Sequence, residues 1–412
     1  MRRVAILGFG REGRALLRYL RRKNQSDEIV VLDRKLDPDY LKGLEKFDLI
    51  YRSPGIPYNR PEIQRAVKNG VKLSSATALF FERAKGEIIG VTGTKGKGTT
   101  STLIYKILKN AGRDAYLVGN IGKPAITILN RPKNNSITVL ELSSFQLQDL
   151  KRSPHIAAVL GLFPDHMDAH KNFKEYFKAK ANITRFQNKK DKVFYTAGNG
   201  HAEAIAKRSR GTTVKVDTRG IDPSSLKIAG PHNLKNAAMA AAVARSLGVP
   251  EKVISKTLRN YRGLPYRLQY LTTIKGVKIY NDSASTNPMT TAAAIRAFTE
   301  EPKVLIMGGR DKNLNYAPVA KALCKSNVKL VVLYGECRGK IRGSIKGTAP
   351  IRMIAGNLEV VFKTALAAAK PGSVIIFSPG ATSFDMFKDY TDRGRKFTAI
   401  AKRTARRYTR RG

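Results

Sequence analysis

One stretch constrains this chain more than any other: Glu87 to Leu103, EIIGVTGTKGKGTTSTL. Its apolar run Ile88–Val91 reads as a buried strand, the three glycines Gly93, Gly96 and Gly98 as a loop, and the Thr/Ser-rich remainder as a helix. Glycines let a backbone close around an anion, because no Cβ blocks the approach and unusual φ values are open to them. The amides at the following helix start then point at that anion, aided by the helix dipole. Lys97 can reach outer phosphates, and the Thr99 hydroxyl stands where a Mg²⁺ ligand is wanted. The reading is a nucleoside triphosphate site on a βα unit, with an ordinary Gly-rich turn as the bland alternative. Gly98 follows the lysine where Ser or Thr is usual, which moves the hydroxyl one place later.

At 412 residues the chain exceeds one compact core, and two to four domains are expected. It begins with a short apolar strand, Val4–Leu7, without a signal peptide's apolar region, and no stretch approaches a membrane span. Two cysteines, Cys324 and Cys337, are too few for a disulfide framework or zinc site. A soluble cytoplasmic protein is expected. The charge is unusual: 76 Lys+Arg against 31 Asp+Glu leave +45. Such a surplus suits a polyanion partner, yet the cations are spread along the chain, and only 402–411 (KRTARRYTRR) is dense. Without a nucleic-acid-binding signature, a dedicated nucleic-acid partner is not expected.

Taken in order, residues 1–84 alternate strands and helices. The turn GFGREG (Gly8–Gly13) opens a helix, and Asp33 ends the next strand some 20 residues on, the pattern of a dinucleotide fold. A further strand ends in Ser53-Pro54-Gly55. In isolation this segment suggests a nicotinamide enzyme, but the stronger phosphate loop that follows then needs a ligand of its own. In residues 85–263, the strand Ser136–Leu140 delivers Glu141 at its end, either as a Mg²⁺ ligand or as a surface acid. The strand Ala157–Leu162 leads to His166 and His170. The first is a candidate metal ligand or substrate donor, and the second is expected to cap or face solvent. The spacing does not make a zinc protease, since Met167 stands where the catalytic Glu belongs. Lys180, in a helix from Tyr176 to Ile183, would by default be a solvated lysine. Asn233 and Asn236 begin an alanine-rich helix, available for capping or for a base edge. Residues 264–412 repeat the α/β pattern, with polar turns after strands at 277–280, 304–307 and 374–377 lining one edge.

Together these segments resemble the Mur ligase family, ATP-dependent amide-forming enzymes of peptidoglycan synthesis with three domains in this order. The loop TGTKGKGTT is shared with the folylpolyglutamate synthetase branch. Gly119-Asn120-Ile121-Gly122, Glu141–Leu147 (ELSSFQL) and Ser378–Phe387 (SPGATSFDMF) resemble more narrowly the branch that joins D-glutamate to UDP-N-acetylmuramoyl-L-alanine. The resemblance implies an α/β fold of three domains: 1–84, Rossmann-like and binding the UDP-sugar; 85–263, binding ATP; and 264–412, Rossmann-like and binding the amino acid. It implies a cytoplasmic monomer with ATP and two Mg²⁺ ions.

The same resemblance implies the roles of particular residues. Gly93, Thr94, Lys95, Gly96, Lys97, Gly98, Thr99 and Thr100 would hold ATP, with Asn236, Arg267 and Asp282 contacting the nucleotide. Thr99 and Glu141 would hold one Mg²⁺; His166 and Lys180, the latter carbamylated by CO₂, would serve the second. Gly10, Arg11, Glu12, Asp33, Arg34, Ser53, Pro54, Gly55, Asn120 and His166 would meet the UDP substrate. Thr286, Lys312, Ser383, Phe384 and Tyr390 would meet D-glutamate. Two positions depart from the family pattern: Ala284 stands where lysine is common, and Gly161 where asparagine is frequent.

Overall fold

The computed structural model describes residues 1–23, 26–165, 170–228, 230–311 and 313–409. Its strands form three sheets, and the chain divides into two compact units, 1–221 with 234–258 and 222–233 with 259–412.

The first unit carries two all-parallel sheets. The smaller contains β1 (Arg3–Leu7), β2 (Glu28–Leu32), β3 (Leu49–Arg52) and β4 (Lys72–Ser74) in the order β2-β1-β3-β4. The larger contains β5 (Glu87–Thr92), β6 (Ala115–Gly119), β7 (Ile137–Glu141), β8 (Ile156–Val159), β9 (Lys192–Thr196) and β10 (Thr212–Val216), ordered β10-β9-β8-β5-β7-β6. β5 is the strand read from Ile88–Val91, and its centre is fully buried, as a strand covered on both faces must be. It lies between β7 and β8, so the loop after it opens between their carboxyl ends, the place where doubly wound sheets bind ligands. Leu16 and Leu20 from the helix Arg11–Lys23, Phe80 and Phe81 from the helix Ala76–Arg83, and Val118 and Leu140 from the larger sheet belong to one apolar core. That shared core makes the two sheets of this unit one body.

The second unit holds a mixed sheet ordered β11-β12-β16-β13-β14-β15. Its strands are β11 (Gln269–Ile274), β12 (Val277–Asn281), β13 (Lys303–Gly308), β14 (Val328–Tyr334), β15 (Ile351–Met353) and β16 (Val374–Phe377). β11 and β12 form an antiparallel hairpin, and the other pairs are parallel. The α/β class follows the sequence. The elements it did not announce are mostly edge strands: β10 reads TTVKV and is half exposed, and β15 is three residues long. Edge strands have one partner, so their apolar patterning is weak.

Candidate active site

The phosphate loop runs from the end of β5 into the helix Lys97–Asn110. Gly96 caps that helix in the left-handed region at φ 86°, and a Cβ there would stand 2.2 Å from Asn236 Oδ1. Glycine is required at this point both by conformation and by space. Asn236, on the helix Pro231–Ser246, is buried, and its Oδ1 accepts from Thr100 Oγ1 at 3.4 Å. It therefore packs on the loop. Thr94 locks the other side, exchanging hydrogen bonds with the backbone of Phe163 (2.9 Å each) and pairing with the Tyr176 hydroxyl at 2.9 Å. Thr94 N also donates to Gly161 O at 3.0 Å, so position 161 supports the loop through its backbone. Lys95 is exposed and reaches toward Asp165 at 3.9 Å. Thr99 lies half-buried in the first turn of the helix.

Lys97 Nζ donates to the carbonyls of Gly93 and Thr94, both at 3.1 Å. Lys180 lies on the helix Phe173–Arg185, capped by Asn172. It is 1% exposed, not the solvated lysine its composition suggested. Its Nζ donates to Thr92 Oγ1 at 3.2 Å and Gly93 O at 3.0 Å, and sits 4.9 Å from the Tyr176 ring centroid. Burial, reinforced by the positive charge of Lys97, pulls the Lys180 amine well below its ordinary pKa.

Glu141 ends β7, pairing in register with Val91 beside the loop, and is 5% exposed. Its Oε1 accepts from Asn120 Nδ2 at 2.7 Å, and its carbonyl accepts from Asn120 N at 3.0 Å. Asn120 also lines a cavity of about 390 Å³ with Gly10, Arg11 and Glu12 from the first turn, Asp33 from the second and Ser53–Gly55 from the third. Asp33 accepts from the amides of Lys35 (2.9 Å) and Phe9 (2.6 Å), which hold its carboxyl below the usual range. Burial pushes the Glu12 carboxyl up, although Thr77 Oγ1 donates to it at 3.1 Å. Arg34 is exposed and does not line this cavity. His166 and Lys312 lie outside the described residues. His170 is buried, contrary to the expectation of a capping or solvated side chain. It stacks on Phe145 at 5.1 Å, with Nε2 2.9 Å from Ser144 Oγ.

In the second unit the turns after β12 and β16 are tied together. Asp282 is buried: Oδ1 accepts from Leu268 N (2.9 Å), and Oδ2 from the hydroxyls of Ser285 (2.5 Å) and Ser378 (2.7 Å). Burial pushes its carboxyl up to about 6 despite those donors. Arg267 is exposed in a turn whose neighbours Tyr266 and Leu268 have φ 63° and 42°, a strained conformation for such side chains. Thr286 is half-buried, Ser383 buried, and Phe384 and Tyr390 exposed at the same edge.

Some organising residues escaped the sequence reading. Arg393, fully buried on the helix Tyr390–Thr409, donates to Ser283 Oγ (3.0 Å), Ser283 O (2.9 Å) and Ala381 O (3.0 Å), joining the two turns. Arg52 Nε lies 2.7 Å from Asp149, and its other nitrogens reach Ile56 O (2.6 Å) and Phe145 O (2.7 Å). Gln146, inside ELSSFQL, lines the cavity and completes a capping box with Ser143. Only that last pattern, Ser-x-x-Gln, was readable in the sequence.

Residues 91–224 match the family model described as the Mur ligase middle domain, and residues 266–380 the one described as the Mur ligase, glutamate ligase domain. The UDP-N-acetylmuramoylalanine--D-glutamate ligase of Acetivibrio thermocellus is 33% identical, over 97% of this chain and 96% of its own. The ligases of the same name from Aquifex aeolicus and Geobacillus kaustophilus are each 34% identical, over 96% and 95% of this chain and 97% and 96% of theirs. Among solved structures, UDP-N-acetylmuramate-alanine ligase MurC of Thermotoga maritima shares the fold with TM-score 0.58 and 19% identity, over 98% of this chain and 100% of its own. MurF ligase of the same organism, in complex with ADP, does so with TM-score 0.57 and 16% identity, over 98% and 95%.

Proposed function

The chain belongs to the Mur ligase family, and we propose that it joins D-glutamate to UDP-N-acetylmuramoyl-L-alanine at the expense of ATP, in peptidoglycan precursor synthesis. The observation that supports this most is the Asn120–Glu141 pair. One residue of the cavity at the first sheet's edge holds the carboxylate that stands beside the phosphate loop, so two substrates can meet there.

A carboxylate and an amine do not condense in water. ATP therefore phosphorylates the alanyl carboxylate, releasing ADP and leaving an acyl phosphate. The glutamate amine attacks the acyl carbon, the nitrogen of the resulting tetrahedral intermediate gives up a proton to solvent, and phosphate departs with the C–O electrons as the amide closes. Lys97 and the loop amides position and neutralise the phosphates, which crowd together in the first step. Asn236 and the loop's Gly96 shape the nucleotide side, with Arg267 and Asp282 as further nucleotide contacts. The turns carrying Gly10–Glu12, Asp33, Arg34 and Ser53–Gly55 receive the UDP-sugar. Thr286, Lys312, Ser383, Phe384 and Tyr390 receive D-glutamate.

The donor set fits Mg²⁺: the Thr99 hydroxyl and the Glu141 carboxylate are hard oxygens. Bound there, Mg²⁺ would neutralise the phosphate charge. His166 and Lys180 as a carbamate would serve a second ion, and a lysine held uncharged is the form that reacts with CO₂. The domain boundaries 84/85 and 263/264, a monomeric state and a cytoplasmic place belong to the same reading. Among the described residues no helix is long and apolar enough to cross a membrane.

The test is phosphate release from ATP with UDP-N-acetylmuramoyl-L-alanine and D-Glu, L-Glu, D-Asp or L-Lys in turn. Release only with D-Glu is expected; release with another amino acid, or with a folate acceptor instead, overturns the reading.

A further inference from the structure

A second feature of the C-terminal unit plays no part in this chemistry. The turns after β12, β13 and β16 occupy the carboxyl edge of its sheet. At the opposite edge a cleft of about 860 Å³ opens beside the first residue of β12. Its floor is apolar, from Val277, Leu366 and Pro371, and its rim carries Lys275, Lys363 and Arg407 with Tyr408. No acidic residue is among the described residues lining it. Glu359 pairs with Lys363 at 3.1 Å and also with Arg403, but Lys275 and Arg407 form no ion pair among the described residues.

Lys275 is unusual in its own right. It occupies the tip of the β11–β12 hairpin at φ 48°, with Gly276 at φ 74°, the left-handed pair that two-residue hairpins normally give to Asn and Gly. Its ammonium lies 4.4 Å from the centroid of the exposed Tyr408 ring. A cation is thus kept where turn chemistry disfavours it, beside an aromatic ring at the end of a basic helix. Along that helix Lys402, Arg403, Arg406 and Arg407 are all exposed.

From this juxtaposition of an apolar floor, a rim of cations with no acid among the described residues lining the cleft, and an exposed tyrosine, we propose that the cleft docks the protein on an anionic lipid bilayer. The cations meet headgroup phosphates, Tyr408 seats at the interface where tyrosines concentrate, and the apolar floor receives the upper part of an acyl chain. A soluble polyanion would use the cations but leave the apolar floor idle. Docking by this edge leaves the sheet's carboxyl edge open to substrates.

The chain contains no tryptophan, so Tyr408→Trp supplies a single reporter. Its emission should shift to the blue on phosphatidylcholine vesicles containing phosphatidylglycerol and be quenched by brominated acyl chains; no shift overturns the proposal. In sedimentation with the same vesicles, Lys275→Gln/Arg407→Gln/Tyr408→Ser should bind at least about tenfold more weakly, at roughly fivefold per cation. The control Lys171→Gln/Lys174→Gln/Lys178→Gln removes three exposed cations elsewhere and should lose less than a third as much. A smaller loss in the cleft variant, or an equal loss in both, means general attraction to a basic protein and overturns the proposal. Unchanged thermal midpoints and phosphate release establish that both variants are folded.

Discussion

The side-chain amines of Lys97 and Lys180 donate to one acceptor, the carbonyl oxygen of Gly93, at 3.1 and 3.0 Å. Two ammonium groups so close repel, and the buried one yields: Lys180 sits with its pKa pulled well down, first by burial and then by Lys97. Both amines thus face the loop carbonyl at the start of the phosphate loop, and the buried Lys180 is the one whose charged form is disfavoured.

Lys180→Ala should lower phosphate release about 100-fold or more, the scale of one lost electrostatic contact to a transition state. Acetate or formate should restore part of it by occupying the place of the carbamate oxygens. Full activity without added carboxylate would remove Lys180 from the mechanism.

The same lysine predicts a pH dependence of stability. Between its depressed folded value and the ordinary 10.5, the unfolded chain binds one proton more than the folded chain. Stability therefore rises with pH across that window and levels above it. Chemical denaturation of the ligand-free protein and of Lys180→Met should differ in this slope, the variant lacking it.

Asp282 acts with the opposite sign. Its carboxyl, near 6 when folded against 3.8 otherwise, holds its proton in the folded state over that interval. Stability should fall as pH rises from about 4 to 6, by about 3 kcal/mol for this group. Asp282→Asn should flatten that segment of the curve; an unchanged profile would mean that Asp282 stays ionised.

Arg52 and Asp149 form a buried pair, with side chains 1% and 7% exposed. Arg52→Met should cost about 3–5 kcal/mol by stranding the carboxylate, while Arg52→Met/Asp149→Leu should cost less than the sum of the single changes. Because Arg52 also holds Ile56 O, KM for the UDP substrate should rise in both. Additive urea-unfolding energies would show the two side chains to be uncoupled.

Gly96→Ala should raise KM for ATP and cost about 1–2 kcal/mol through its left-handed φ, beyond the clash with Asn236 Oδ1. Asn236→Ala in the same chain should recover the clash but not the φ cost, visible as a partial return of the thermal midpoint. Complete recovery would mean that φ is free at this position.

Local signals carried the phosphate loop and Glu141, while Asn120 came only through the family resemblance. The loop and Glu141 each follow an apolar strand readable in the sequence, and parallel strands deliver their carboxyl ends to one edge. The side chains that organise those ends were silent. Arg52 follows an ordinary apolar run, and Arg393 sits in a helix among other basic residues, yet both are buried and bonded to carbonyls from distant turns. His170 was read as a capping or solvated residue because its partners, Phe145 and Ser144, come from another strand-end segment.

Sequence alone carried the α/β alternation and the make-up of the loop, because strand period, glycine spacing and a lysine in register are properties of neighbours along the chain. The tertiary structure decided which lysine amine has its pKa pulled down, which arginines bind turns together and which basic edge carries an apolar cleft. Burial and Coulomb interactions depend on distances between segments far apart in the chain, and only folding sets those distances.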